Sequence, residues 1–152
     1  MKNNKIILLI KGCGFIMKYQ EKSFTPELKA KIQDMESALK EHSKILLQEN
    51  RFIFEEKNLE FHASLDVDGH NHFQPGYWSS IVIGVSEKAV PDSDLINMQL
   101  ITIWKCVRTV LGLEVSTNIP GSKIIGMFVD ETLEELKEEL REYIEEFLSE
   151  EY

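Results

Sequence analysis

A chain of 152 residues with 43% hydrophobic and 28% charged residues is large enough to bury a real core and ordinary enough to be globular. Its net charge of −9, with no basic cluster, argues against nucleic acid as the primary ligand and against an anionic membrane surface. No run approaches a membrane-spanning length, and Cys13 and Cys106 are too few and too far apart for a disulfide framework, so a reducing, cytoplasmic setting is expected.

At the N-terminus Lys2 and Lys5 precede an apolar run at 6–10, and Gly12-Cys13 follows. The outline resembles a bacterial lipoprotein signal, but the run is too short and Lys11 sits close to the would-be cleavage site. Residues 1–16 therefore read as a leader upstream of a second start at Met17, or as a short buried strand, with 17–152 forming one domain.

Thr25-Pro26-Glu27 marks a helix start, combining an N-cap, Pro at the first helical position and an acid in the first turn. Leu28, Ile32, Met35, Leu39, His42 and Leu46 then recur at helical spacing, which predicts an amphipathic helix to about Gln48. A strand is expected at 51–56 and another at 59–67, where Leu59, Phe61, Ala63, Leu65 and Val67 alternate with polar residues. Asp68-Gly69 turns the chain, and a loop rich in helix and strand breakers leads to a third strand at 77–86. Asp92 or Ser93 can cap a second helix, and the apolar residues from Leu95 to Leu111 cover most of its circumference, so a largely buried helix is predicted, ended by Gly112. Short strands at 113–117 and 123–129 follow.

The terminal stretch 130–152 has Leu133, Leu136, Leu140, Tyr143, Ile144, Phe147 and Leu148 on one helical stripe, with Thr132 and Glu135 spaced as a capping box. It carries 11 Asp or Glu against Lys137 and Arg141, so its net charge of −9 equals that of the whole chain. Like-charge pairs such as Glu138/Glu142 and Glu142/Glu146 each cost roughly 0.2–0.5 kcal/mol, less than the burial of one Leu contributes. The complete expectation is an α+β fold in the order α-β-β-β-α-β-β-α, a mainly antiparallel sheet of about five strands packed with three helices.

Two clusters could carry function. His62, Asp66, Asp68, His70 and His72 would share one face if the strand persisted, a donor set suited to Zn²⁺ or Mn²⁺. Asp-Gly should break the strand before His70, and the twelfth position from Asp66 is Tyr77 rather than the Glu that an EF-hand needs. The chain has neither a phosphate-binding Gly-rich loop nor a Gly-x-Ser-x-Gly elbow. The second cluster is a recognition surface in which Tyr77 and Trp78 stand beside Asp66, Asp68, His70 and His72.

Together with Glu138, Glu142 and Glu146, these residues point to a small acidic binding protein without catalysis or cofactor. Its most concrete form is an immunity- or antitoxin-type inhibitor that neutralises a basic protein such as a toxin domain. The alternatives are a small metal-dependent hydrolase built on the 62–72 cluster, and a structural protein whose first helix pairs with a copy of itself as a homodimer.

Overall fold

A computed structural model describes residues 16–90 and 92–152. The leader or strand expected before Ile16, with Cys13, lies outside the described residues, as does Pro91. β1 (Ile16–Gln20) passes through a 3-10 turn into α1 (Pro26–Glu55). Thr25 caps that helix as its sequence implies, its Oγ1 accepting the Leu28 N–H at 3.1 Å. The helix does not stop at Gln48. Leu39, Leu46 and Phe54 lie on one buried stripe while Phe52 is exposed, so the residues expected as a strand at 51–56 are the last turns of α1. Three consecutive apolar residues carry no period of their own, and the stripe behind them decides. Asn58, at φ 61, then turns the chain in the left-handed region.

β2 (Leu59–Asp68), β3 (Trp78–Glu87), β4 (Asn97–Val110), β5 (Leu113–Val115) and β6 (Lys123–Val129) precede α2 (Leu133–Ser149). The six strands form an antiparallel sheet ordered β1-β6-β4-β3-β2, with β5 also pairing to β4. The fold is α+β as expected, but with six strands and two helices in place of about five and three, in the order β-α-β-β-β-β-β-α. No helix among the described residues is long and apolar enough to cross a membrane.

The largest correction is at 92–111, where a helix was expected and β4 is found. Six of the 14 residues of β4 are β-branched, a composition that favours a pleated surface. Ile103, Trp104, Cys106 and Val107 are buried from both sides, and a strand covered on both faces reads as a continuous apolar run. Gly112 is therefore not a helix cap. With Leu111 (φ 52) and Gly112 (φ 80) it forms the two-residue loop that joins β4 to β5.

The described residues pack as two compact units, to both of which α1 and β4 contribute. The first comprises 16–34, Val67–Ser79 and Thr102–Glu131. Its core is built around Trp104, which is fully buried. Phe24, Phe73 and Phe128 meet the indole edge-on at centroid distances of 5.7, 6.1 and 6.1 Å, and its Nε1 donates to the His72 carbonyl at 2.7 Å. Gly126, across the ladder from Cys106, leaves room for the ring: a Cβ there would stand 2.0 Å from it.

The second unit comprises Met35–Asp66, Ser80–Ile101 and Thr132–Tyr152. Leu39, Leu46 and Phe54 of α1, Ile81, Ile83 and Val85 of β3, and Leu136, Leu140, Ile144 and Phe147 of α2 are among its buried apolar residues. Phe54 stacks on Phe61 of β2 at 5.0 Å. The capping box of α2 forms as its sequence implies: Thr132 Oγ1 accepts the Glu135 N–H at 3.1 Å, and Glu135 accepts the Thr132 N–H at 2.8 Å.

Two substitutions test this packing by chemical denaturation. Gly126→Ala should destabilise the protein by about 1–3 kcal/mol, because the methyl group enters the space of the Trp104 ring. Leu111→Asn should raise stability by about 1 kcal/mol, since Asn tolerates the left-handed conformation and the Leu111 side chain is exposed.

Candidate functional site

β2 alternates as its pattern requires, with Leu59, Phe61 and Ala63 buried and Glu60, Ser64 and Asp66 exposed. On the polar face the His62 imidazole Nε2 lies 2.8 Å from Ser86 Oγ, and Ser64 donates to Asp66 at 3.0 Å. Asp68-Gly69 ends the strand. Gly69, at φ 98, approaches Tyr77 so closely that a Cβ would lie 3.3 Å from the Tyr77 Cα. His70 is exposed, whereas His72 and Tyr77 are buried, with Tyr77 OH 3.0 Å from His72 Nε2. Phe73 stacks on Phe24 at 4.7 Å. Main-chain bonds tie the end of the loop to β4, Gly76 donating to Cys106 at 2.8 Å and Cys106 donating to Tyr77 at 2.9 Å.

The loop expected to be a recognition surface is anchored in the core by two of its residues, while Asp68, His70 and Trp78 stay exposed. His72 and Tyr77 serve the packing of the first unit, and of the aromatic pair only Trp78 reaches the surface. The two rings part because adjacent strand residues face opposite sides. Among the described residues no three His, Cys, Asp or Glu side chains gather to hold a metal ion, and the set His62, Asp66, Asp68, His70 and His72 is no exception. The strand that would have aligned them ends at Asp68.

Reading 92–111 as a helix concealed a cleft of about 520 Å³ in the first unit, between 75–78, 105–108 and 114–116. Trp78 forms one wall, its Nε1 donating to Thr102 Oγ1 at 3.0 Å and the Lys105 ammonium lying 5.3 Å from its ring centre. Thr102 and Lys105 share a side of β4 while Ile103 and Trp104 between them are both fully buried. A strict period of two forbids that, so β4 accommodates one extra residue there, as at a bulge. Both cations of the cleft are engaged: Lys105 lies 3.4 Å from Glu114, and Arg108 donates to Asn118 at 3.2 Å and Ser122 at 3.4 Å. Cys106 offers no nucleophile, because burial, with Glu21 adding to it, pushes its thiol up to about 12.

The second unit holds the charge. It contains 19 Asp or Glu against seven Lys or Arg, a net of −12, while the described residues of the first unit carry seven of each. Glu134, Glu135, Glu138, Glu142, Glu145 and Glu146 of α2 are all exposed. They are not equivalent. Arg141 bonds to both Glu138 and Glu145, and its hydrogen bond holds the Glu138 carboxyl below the usual range. Lys137 lies 3.7 Å from Glu134. Glu142 and Glu146 have no ion-pair partner among the described residues. No family model matches the chain, and no curated protein or solved structure matches it either.

His42, on the buried side of α1, gives this unit a pH dependence. Burial and then Lys137 lower its pKa from 6.5, against the opposing pull of Glu49 and Glu134. Between the lowered value and 6.5 the unfolded chain binds more protons at His42 than the folded one. The contribution of His42 is thus fully present above that window and lost as pH falls through it. Melting temperatures measured from about pH 7.5 to about 5.5 should fall more for the wild type than for His42→Gln.

Proposed function

We propose that this is a non-catalytic binding protein for a basic protein partner, most concretely an immunity- or antitoxin-type inhibitor acting in the cytoplasm. The observation that supports it is the net charge of −12 on the second unit, much of it displayed on the solvent face of α2. Like charges at i,i+4 on that helix cost stability that its buried stripe must offset, and exposed charge of one sign steers encounter with the opposite sign. Glu142 and Glu146 are the strongest candidates for contact, because Arg141 already compensates Glu138 locally. Asp66, Asp68, His70 and Trp78 also remain exposed.

The test replaces Glu142 and Glu146 with Gln and compares the proteins captured from the native host with those captured by the wild type. A basic protein should be retained by the wild type and depleted from the variant. Its association should slow with added salt, because exposed charges are screened over about 8–10 Å. The variant should fold with unchanged or slightly higher stability, by up to about 1 kcal/mol, as the like-charge pairs Glu138/Glu142, Glu142/Glu146 and Glu146/Glu150 are removed. Identical capture profiles would remove α2 as the binding face.

A further inference from the structure

Among the described residues, no strand covers one edge of β4 at its start. Its register with β6 runs from Trp104↔Phe128 to Thr109↔Lys123, and β5 pairs only with 108–110, so the first part of the strand lies beyond both. Within the second unit that part is 97–101. The Met98 N–H donates not to a strand but to the Asn97 side-chain Oδ1 at 2.9 Å. This marks Met98, and by alternation Leu100, as residues whose main-chain groups face the unpaired edge. The usual protections of an edge are missing from the strand itself: from Leu95 to Trp104 there is no charged residue and no Pro. Leu95, Ile96, Met98 and Leu100 are exposed apolar side chains beside it.

The surroundings specify the occupant. Asp92 and Asp94 lie just before the strand and are exposed. Asn97 Nδ2 donates to the Tyr152 hydroxyl at 3.0 Å, which brings the exposed Glu150 and Glu151 of the C-terminal segment to the same end. A second copy of the chain would bring another unit of −12 to this edge, which disfavours it. We propose that 97–101 of β4 accepts an extended basic strand from the partner, main-chain bonds giving affinity and the carboxylates around Asn97 selecting positive charge. This rests on the reading of the protein as a binder of a basic partner, and it locates the contact on β4 rather than on α2 alone.

The probe is an end-blocked heptapeptide of alternating lysine and valine, with a glutamate-for-lysine peptide as control, titrated by fluorescence anisotropy against the full chain. The wild type should bind the lysine peptide saturably and the glutamate peptide not at all. Leu100→Pro removes an N–H on the unpaired side, where Pro is tolerated, and should weaken binding about tenfold. Leu100→Lys keeps that N–H and the fold but adds a repelling charge, so it should weaken binding as well, which covers failure of the Pro variant to fold. Equal binding by wild type and Leu100→Lys, or equal binding of both peptides, overturns the proposal. So does a wild-type dimer in sedimentation that Leu100→Lys abolishes, which would make a second copy the occupant. Capture that survives Leu100→Lys but not the Glu142/Glu146 change would sink the edge alone and leave α2 as the face. The reverse pattern would sink α2 and keep the edge.

Discussion

Three strands depend on the main chain of β4, because β3, β5 and β6 all pair with it. That constraint decides the conformation of the most apolar stretch in the protein. At 104–109 the strand is held by β6, and Cys106 exchanges bonds with the Gly76-Tyr77 main chain on its other side. A segment satisfied from both sides can bury its side chains on both faces at little polar cost. Trp104 uses this setting. Its ring occupies the space that Gly126 leaves open, and its single donor is spent on the His72 carbonyl, so the loop carrying His72 is fixed by the core beneath it.

Signals that depend on a few adjacent residues were legible in the sequence. Thr25-Pro26 and the Thr132/Glu135 box mark helix starts because capping is local chemistry, and both caps form. The alternation of β2 was legible because one of its faces meets water. β4 was not, since burial on both faces erases the period that would separate strand from helix. The end of α1 failed for a related reason: Phe52-Ile53-Phe54 is too short to show a period, and Phe54 belongs to a stripe begun many residues earlier. The helical pattern of 92–111 hid the cleft beside Trp78, because Lys105 and Arg108 read as the polar exceptions of a helix.

Charge and sheet geometry point in the same direction within the second unit. The acidic residues concentrate on that unit, while Lys137 and Arg141 pair with Glu134, Glu138 and Glu145, and Glu142 and Glu146 have no ion pair among the described residues. The start of β4, from Leu95 to Ile101, is an uncharged stretch of the same unit, and there the Asn97 side chain accepts the Met98 N–H. An amide cap of this kind satisfies one donor without closing the edge, which leaves the strand able to exchange a local bond for a ladder. His72 and Tyr77 are buried in the first unit, whereas Trp78 is exposed.

The conformation and open edge of β4 can be tested together by amide hydrogen exchange, read residue by residue over 97–110. A strand paired with β3 alone at its start and on both sides farther on should show alternation followed by continuous protection. Gln99 and Ile101 should exchange slowly and Leu100 fast, whereas 105–107 should be protected throughout. Continuous protection from Ser93 to Leu111 without alternation would indicate a helix and contradict the sheet on which the functional reading rests.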